Sequence, residues 1–231
     1  MSSNGAPVSV SLFRLAGLAY LVIILAGVSA EALLRGPLID YSDAAATAIS
    51  LRENSAQFRL SIAADLAMAL CDALLAILLF LVFRGISFSL ALAALVFRLI
   101  QTVVIAVNLL ALQAAWLLAA GDASTSEPAN ILLLLDTHRH GYDLGLAFFA
   151  VNCFLTGLLV IRSALFPRLL GIGLAASGIV YLAGSLSRFF APALLPAVQP
   201  AYVVPLVVES AFCAWLLLAR FPDRAPGAKP A

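Results

Sequence analysis

The chain has 231 residues, of which 64% are hydrophobic and only 11% carry a charge, and its formal net charge is +1. A soluble domain is about a quarter charged, so this chain cannot cover a water-facing surface and must lie largely in lipid. Because no long basic run is present, we expect no nucleic-acid partner. The length suits a single integral-membrane domain over residues 1–231, with disordered tails at 1–10 and 221–231.

Six apolar segments are each long enough to cross a bilayer, which takes about 20 helical residues. They predict an all-α, polytopic transmembrane helix bundle. The first segment has the flanking residues of a cleavable signal peptide, but its apolar run continues to Leu34, so we expect it to be retained as a span. The predicted spans cover residues 14–34, 60–83, 88–118, 141–161, 167–186 and 202–219.

The first connection has a mixed polar composition. Ser42 or Asp43 can cap a short helix, and the residues that follow have helical spacing with a thin apolar face. This pattern predicts a helix at residues 43–58 that lies on the membrane surface.

The later connections are of three kinds. A tight turn at residues 84–87 joins spans two and three. Residues 131–135 are apolar but too short to span, so we expect them to lie at the membrane interface or to lead into span four. Three prolines predict an irregular loop at residues 188–201. Spans four and five are rich in glycine and serine, which indicates close helix packing.

An even number of spans places both termini on one side of the membrane. Lys and Arg in short loops favour the cytoplasmic side, and the two short basic loops lie on the side of the termini. We therefore expect a multi-pass protein of the bacterial inner (cytoplasmic) membrane with cytoplasmic termini. The basic residues on that side are Arg14, Arg84, Arg162, Arg168, Arg220, Arg224 and Lys229.

Polar side chains interrupt the apolar spans at bilayer depth. A charge at the centre of a membrane helix is unfavourable by about 2.5–3.5 kcal/mol, so such residues need partners or a function. Folding spans two and three about their turn brings Asp72 to the level of Arg98, which predicts a buried ion pair. The same comparison for spans four and five predicts a second pair between Asp143 and Arg188.

The polar groups belong to the half of the bundle away from the termini, whereas the other half is almost purely apolar. Asp65 lies two turns from Asp72 on one helix face, and Glu209 is expected at a depth similar to that of Asp65. This asymmetry predicts a polar cavity that opens outward. The candidate acid–base residues are Asp65, Asp72, Glu209 and His140, and the candidate binding residues are Arg98, Gln101, Glu31, Asp143 and Arg188.

His138 and His140 are the only histidines. On a strand or loop both rings can face one metal ion, whereas on a helix they diverge. We therefore predict no metal site, and a site formed by His138 and His140 is the weaker alternative. The three cysteines lie far apart in apolar runs and are interpreted as buried hydrophobes. Nucleotide-binding, serine-hydrolase and zinc-protease motifs are absent from the sequence, and no cofactor is predicted.

Several short motifs occur in a fixed order along the chain. They include RxAGxxYL at 14–21, FRL at 97–99, HG at 140–141, PRLLG at 167–171 and Glu209. In this order they resemble an uncharacterised bacterial family of multi-pass membrane proteins, the domain of unknown function forty-three eighty-six. The resemblance covers residues 14–215, implies an integral membrane protein of bacterial type, and implies no reaction. His138 does not belong to the family's pattern.

Three hypotheses follow for the function, and the sequence leaves open whether the protein is an enzyme. The first is an enzyme that does acid–base chemistry on a lipidic or isoprenoid-like substrate, with Asp65, Asp72 and Glu209 exchanging protons, Arg98 setting their charge and His140 at the rim. The second is a binding or transport protein for a small cationic solute. The third is a scaffold or accessory subunit whose charges only join the helices. The predicted partners are membrane lipid and a lipidic small molecule.

Overall fold

The computed structural model describes residues 10–121 and 127–219. The predicted disordered tails lie outside the described residues, except that Val10 begins the first helix. Helices are the regular structure of the described part. They are α1 (Val10–Val28, continued by a π-helical segment at Ser29–Arg35 and a 3₁₀ turn at Gly36–Leu38), α2 (Ala44–Glu53), α3 (Ser55–Phe83), α4 (Phe88–Ala120), α5 (Pro128–Ser163), α6 (Arg168–Phe190), α7 (Leu195–Val198) and α8 (Val203–Leu218).

Six segments of the described chain are long and apolar enough to cross a membrane, which confirms the predicted transmembrane bundle. They are Val10–Leu38, Ser55–Phe83, Phe88–Ala120, Pro128–Ser163, Arg168–Phe190 and Pro192–Leu218. Their outward faces expose large apolar side chains such as Leu70, Leu110 and Leu169. Such faces suit contact with lipid, because lipid tails solvate leucine without loss. The protein is therefore a multi-pass membrane protein.

The spanning helices form a closed ring in chain order. Each packs against its neighbour along the chain, and α8 closes the ring by packing against α1. The Arg14 guanidinium donates to the backbone oxygen of Ala219 at 3.0 Å, so the two ends of the described chain meet. We call this side, which also carries the turns at 84–87 and 164–167, the short-turn side, and the other the long-loop side.

An aromatic cluster closes the short-turn side. Phe166, from the turn between α5 and α6, lies with its ring centre 5.2 Å from that of Phe212 and 5.7 Å from that of Phe83. Phe13 stands on its other flank at 6.4 Å. These four aromatic side chains come from separate parts of the chain. Their burial against one another therefore holds the helices together at the short-turn side.

Helix α5 is longer than the predicted span at 141–161. Of the two alternatives for residues 131–135, the structure shows the continuation into span four, since one helix runs from Pro128 to Ser163. Proline suits its first turn, where no backbone N–H is needed. The polar stretch at residues 136–143 is supported as a helix by contacts one turn apart. The Asp136 carboxylate lies 3.6 Å from the Arg139 guanidinium and 3.5 Å from Nδ1 of His140.

The predicted irregular loop at residues 188–201 is wrong, because every residue of it except Ala191 is helical. After α6 ends at Phe190, three helical turns follow at Pro192–Leu194, Leu195–Val198 and Gln199–Tyr202, and each has a proline in its first turn. Because proline is tolerated there but not inside a helix, its spacing restarts the helix every four residues.

The predicted surface helix is present but shorter than expected. The Asp43 carboxylate accepts from the Ala46 backbone N–H at 2.9 Å and so caps α2. The helix ends at Glu53, because Asn54 leaves the helical conformation and α3 begins at Ser55. It buries Leu51 against α4 and α5 on the long-loop side.

Helices α5 and α6 approach closely at two glycines. A Cβ placed on Gly171 would lie 2.6 Å from the backbone oxygen of Gly157. No side chain can move away to relieve such a contact, since the obstacle is the backbone itself.

We therefore expect Gly171→Ala to separate the two helices and to destabilise the protein by about 1–3 kcal/mol. Thermal unfolding in detergent measures this change. Gly27→Ala is the matched control, because the new Cβ would meet only the flexible end of the Met68 side chain, at 2.8 Å. Equal stability of the two variants would contradict the close contact.

Candidate functional site

A buried arginine joins two acids at the long-loop end of α1. Arg35 is 3% exposed, and its guanidinium lies 2.7 Å from the Asp65 carboxylate and 2.6 Å from that of Glu31. Asp65 is buried, whereas the Glu31 side chain is 68% exposed. Arg35 follows the predicted first span at 14–34 and was not among the predicted site residues. The four-residue spacing from Glu31 to Arg35 was the signal that could have found it.

The π-helical segment positions this arginine. The Gly36 backbone N–H donates to the Glu31 carbonyl, five residues back, which is the hydrogen-bond spacing of a π-helix. A Cβ on Gly36 would lie 2.6 Å from that same oxygen, so only glycine fits. The widened turn lets Arg35 reach α3 while it still pairs with Glu31. Such turns are frequent at functional sites.

A pocket of about 370 Å³ opens beside this arginine, and we call it the outer pocket. The predicted ion pair of Asp143 with Arg188 is present and lies in its wall. His138 and Tyr142 of α5 contribute to the lining, together with Tyr202 at the start of α8. Near the rim, the Arg139 guanidinium stacks 4.1 Å from the centre of the Tyr41 ring, and partial burial raises the pKa of the Tyr41 phenol.

A second pocket of about 90 Å³, the inner pocket, lies against the predicted pair of Asp72 and Arg98. This pair is present and is more elaborate than expected. Arg98 donates to one Asp72 oxygen at 2.5 and 2.9 Å, and the Thr102 hydroxyl donates to the other at 2.5 Å. All three residues are buried, so α3 and α4 are joined by a fully enclosed polar contact.

Glu209 is held differently from the aspartates. Its two carboxylate oxygens accept from the hydroxyls of Tyr20, at 2.9 Å, and Tyr181, at 2.5 Å. Within the described residues no arginine forms a salt bridge with it. Neither tyrosine was predicted to contact Glu209, because the sequence around a tyrosine in a membrane span does not show which group its hydroxyl will bond.

Glu209 also lies deeper than predicted. It lines the inner pocket with Asp72 and Arg98, whereas Asp65 lines the outer pocket. The reason is the helical segment that begins at Pro192, since it makes the last span start earlier and so carries Glu209 further along the bundle. Of the predicted binding residues, Gln101 also lines the inner pocket, and Glu31 lines the outer one.

The two pockets adjoin, because Tyr142 and Leu146 belong to the lining of both. Together they run from the Arg35 cluster to Glu209. The apolar part of the inner wall includes Ile23, Ile105 and Phe149. Polar groups therefore line both pockets between hydrocarbon walls, an arrangement typical of small-molecule sites.

His140, which was predicted at the rim of the site, lines neither pocket, whereas His138 does line one. His138 is buried in the wall of the outer pocket, with its Nδ1 3.0 Å from the Asn108 amide nitrogen. His140 lies away from the pocket lining, with its Nδ1 2.8 Å from the Asp136 carbonyl oxygen and its ring 5.9 Å from that of Phe189. Both are on α5, where residues two apart point to different faces. Over residues 10–121 and 127–219, no three metal-ligating side chains are grouped.

We expect Asp72→Leu or Arg98→Met alone to destabilise the protein by about 3–5 kcal/mol, because either leaves one buried charge without its partner. The double variant should recover most of this loss. Thermal unfolding of the wild-type protein, the two single variants and the double variant gives the free energies of unfolding for a double-mutant cycle. A double variant whose loss of stability equals the sum of the two single losses would show that the two charges do not stabilise each other.

One of the comparisons with known proteins gave a match. A family model described as a domain of unknown function, DUF4386, matches residues 15–219. No curated protein and no solved structure matches the chain. Since the family model covers nearly all of the helical bundle, including both pockets, the chain belongs to this family of unknown function, DUF4386.

Proposed function

We propose that this membrane protein is an enzyme that does acid–base chemistry on a lipidic, isoprenoid-like molecule, with Glu209 as the group that exchanges the proton. One observation carries the proposal: two adjoining pockets lead to a carboxyl that is bonded to two tyrosines and to no arginine among the described residues. A positioned carboxyl of this kind can give a proton to a reacting group or take one from it.

The neighbours of each acid distinguish Glu209 from the aspartates. Asp65 and Asp72 each bond to a buried arginine, which stays charged under all ordinary conditions. Protonating either carboxyl would leave a buried cation without its partner. A tyrosine hydroxyl both donates and accepts, so Glu209 keeps its hydrogen bonds in either protonation state. We therefore assign the proton exchange to Glu209 and a positioning role to the two aspartates.

The walls of the pockets favour a lipidic substrate. The inner pocket has apolar side chains on several sides, and the outer surface of the bundle is apolar as well. The arginines near the short turns favour cytoplasmic termini in a bacterial inner membrane. With that orientation the outer pocket faces away from the cytoplasm.

A second candidate is a protein that binds a small solute, or joins a larger assembly, without chemistry. It is favoured by the three aspartate–arginine pairs, which neutralise most of the charge that a catalyst would use. Because removing one partner of a buried pair destabilises a protein, these pairs also have a purely structural use.

Deuterium uptake from the solvent tests the enzymatic proposal. The protein is embedded in nanodiscs of total bacterial lipid extract and incubated in D₂O, and the lipids are then analysed by mass spectrometry. We expect one lipid species to gain carbon-bound deuterium with time. Glu209→Gln should slow this uptake about 100- to 10,000-fold, the usual contribution of a positioned acid or base.

Glu53→Gln is the matched control, because Glu53 is an exposed acid on α2, outside both pockets. This variant should retain the wild-type rate, and both variants should unfold at similar temperatures. Deuterium uptake by Glu209→Gln at the wild-type rate, or no uptake with the wild-type protein, would exclude the proposed chemistry and favour the binding protein.

A further inference from the structure

Gln101 lines the inner pocket and has a buried side-chain oxygen without a hydrogen-bond donor among the described residues. It comes from α4, three residues after Arg98, and is 7% exposed. Its Oε1 atom is buried and accepts no hydrogen bond from the part of the chain that the structure describes. A buried acceptor without a donor destabilises a protein by about 1–3 kcal/mol, so such a group persists where it has a use.

The carboxylates of the inner pocket already accept hydrogen bonds within the protein. Both Asp72 oxygens accept from Arg98 or Thr102, and both Glu209 oxygens accept from tyrosines. Gln101 also lines this pocket, but its Oε1 atom accepts no hydrogen bond from the described residues. A terminal amide torsion is soft, so the side chain can turn toward a ligand with little strain.

We propose that Gln101 accepts a hydrogen bond from a hydroxyl group of the substrate, and that the substrate class is therefore a lipidic alcohol. The inference rests on the proposed function, since it names the molecule on which Glu209 acts. A hydroxyl supplies the one O–H that the open acceptor needs, and it brings no charge. A hydrocarbon or an ether supplies no donor.

An amine fits less well than an alcohol. An ammonium group brings three N–H donors, whereas Gln101 offers one open oxygen. It also carries a full charge, and a charge loses far more solvation on burial than a hydroxyl does. The volume of about 90 Å³ suits a head group, with the hydrocarbon chain in the adjoining space.

Equilibrium binding to nanodisc-embedded protein tests the inference. Tritiated geraniol is the probe, and geranyl methyl ether and geranylamine compete with it, so that the three molecules share one chain and differ in the head group. We expect geraniol to bind about tenfold more tightly than the ether, as one hydrogen bond to an otherwise unpaired acceptor predicts. Equal affinities, or tighter binding of geranylamine, would overturn the proposal.

Gln101→Leu and the near-isosteric Gln101→Met then locate the hydrogen bond. In both variants the affinity for geraniol should fall to that for the ether, while the affinity for the ether stays unchanged. Val103→Ala is the control, because Val103 lies on the same helix but is 60% exposed on the lipid-facing surface. A preference for geraniol that persists in a folded Gln101 variant would also overturn the proposal.

The outcomes separate this inference from the proposed function. If geraniol binds through Gln101 but Glu209→Gln does not change deuterium uptake, the binding site stands and the enzymatic proposal fails. If Glu209→Gln abolishes uptake but geraniol and its ether bind equally, the enzyme stands and the hydroxyl assignment fails.

Discussion

The buried contact between Asp72 and Arg98 is the constraint on which the rest of the bundle depends. Each charge alone would be strongly unfavourable at this depth, so the two must meet, and their meeting fixes α3 against α4. The Thr102 hydroxyl donates to the second Asp72 oxygen, so both oxygens of this carboxylate accept hydrogen bonds within the protein. Asp72 and Arg98 form part of the wall of the inner pocket, and the polar residues Gln101 and Glu209 line the same pocket.

Arginine pairing divides the acids of the bundle into two groups. Asp65, Asp72 and Asp143 each have an arginine, and their charge is used to hold helices together. Glu209 has tyrosines instead, which tolerate either protonation state. This difference in neighbours is the reason for assigning the proposed proton exchange to Glu209 and not to the aspartates.

The closed ring of helices explains why the pockets lie where they do. The Phe166 cluster fills the short-turn end with aromatic rings, and the inner and outer pockets lie toward the long-loop side. There the π-helical segment at Ser29–Arg35 turns Arg35 into the bundle, and the helical turns from Pro192 bring Tyr202 over the outer pocket. Irregular backbone is tolerated at this depth because its polar groups are bonded within the protein.

The sequence by itself determined the spans and two ion pairs, because hydrophobicity and length define a membrane helix and a short turn sets the relative depth of two neighbouring helices. Asp72–Arg98 and Asp143–Arg188 were predictable for that reason. Only the tertiary structure decided which helices that are distant in the chain meet, and which way each face turns. The partnership of Glu209 with Tyr20 depends on how the helices are rotated and leaves no periodic signal in the sequence. The contact of Arg35 with Asp65 depends on a π-turn, so the sequence spacing could have shown the pairing of Arg35 with Glu31 but not its contact with α3.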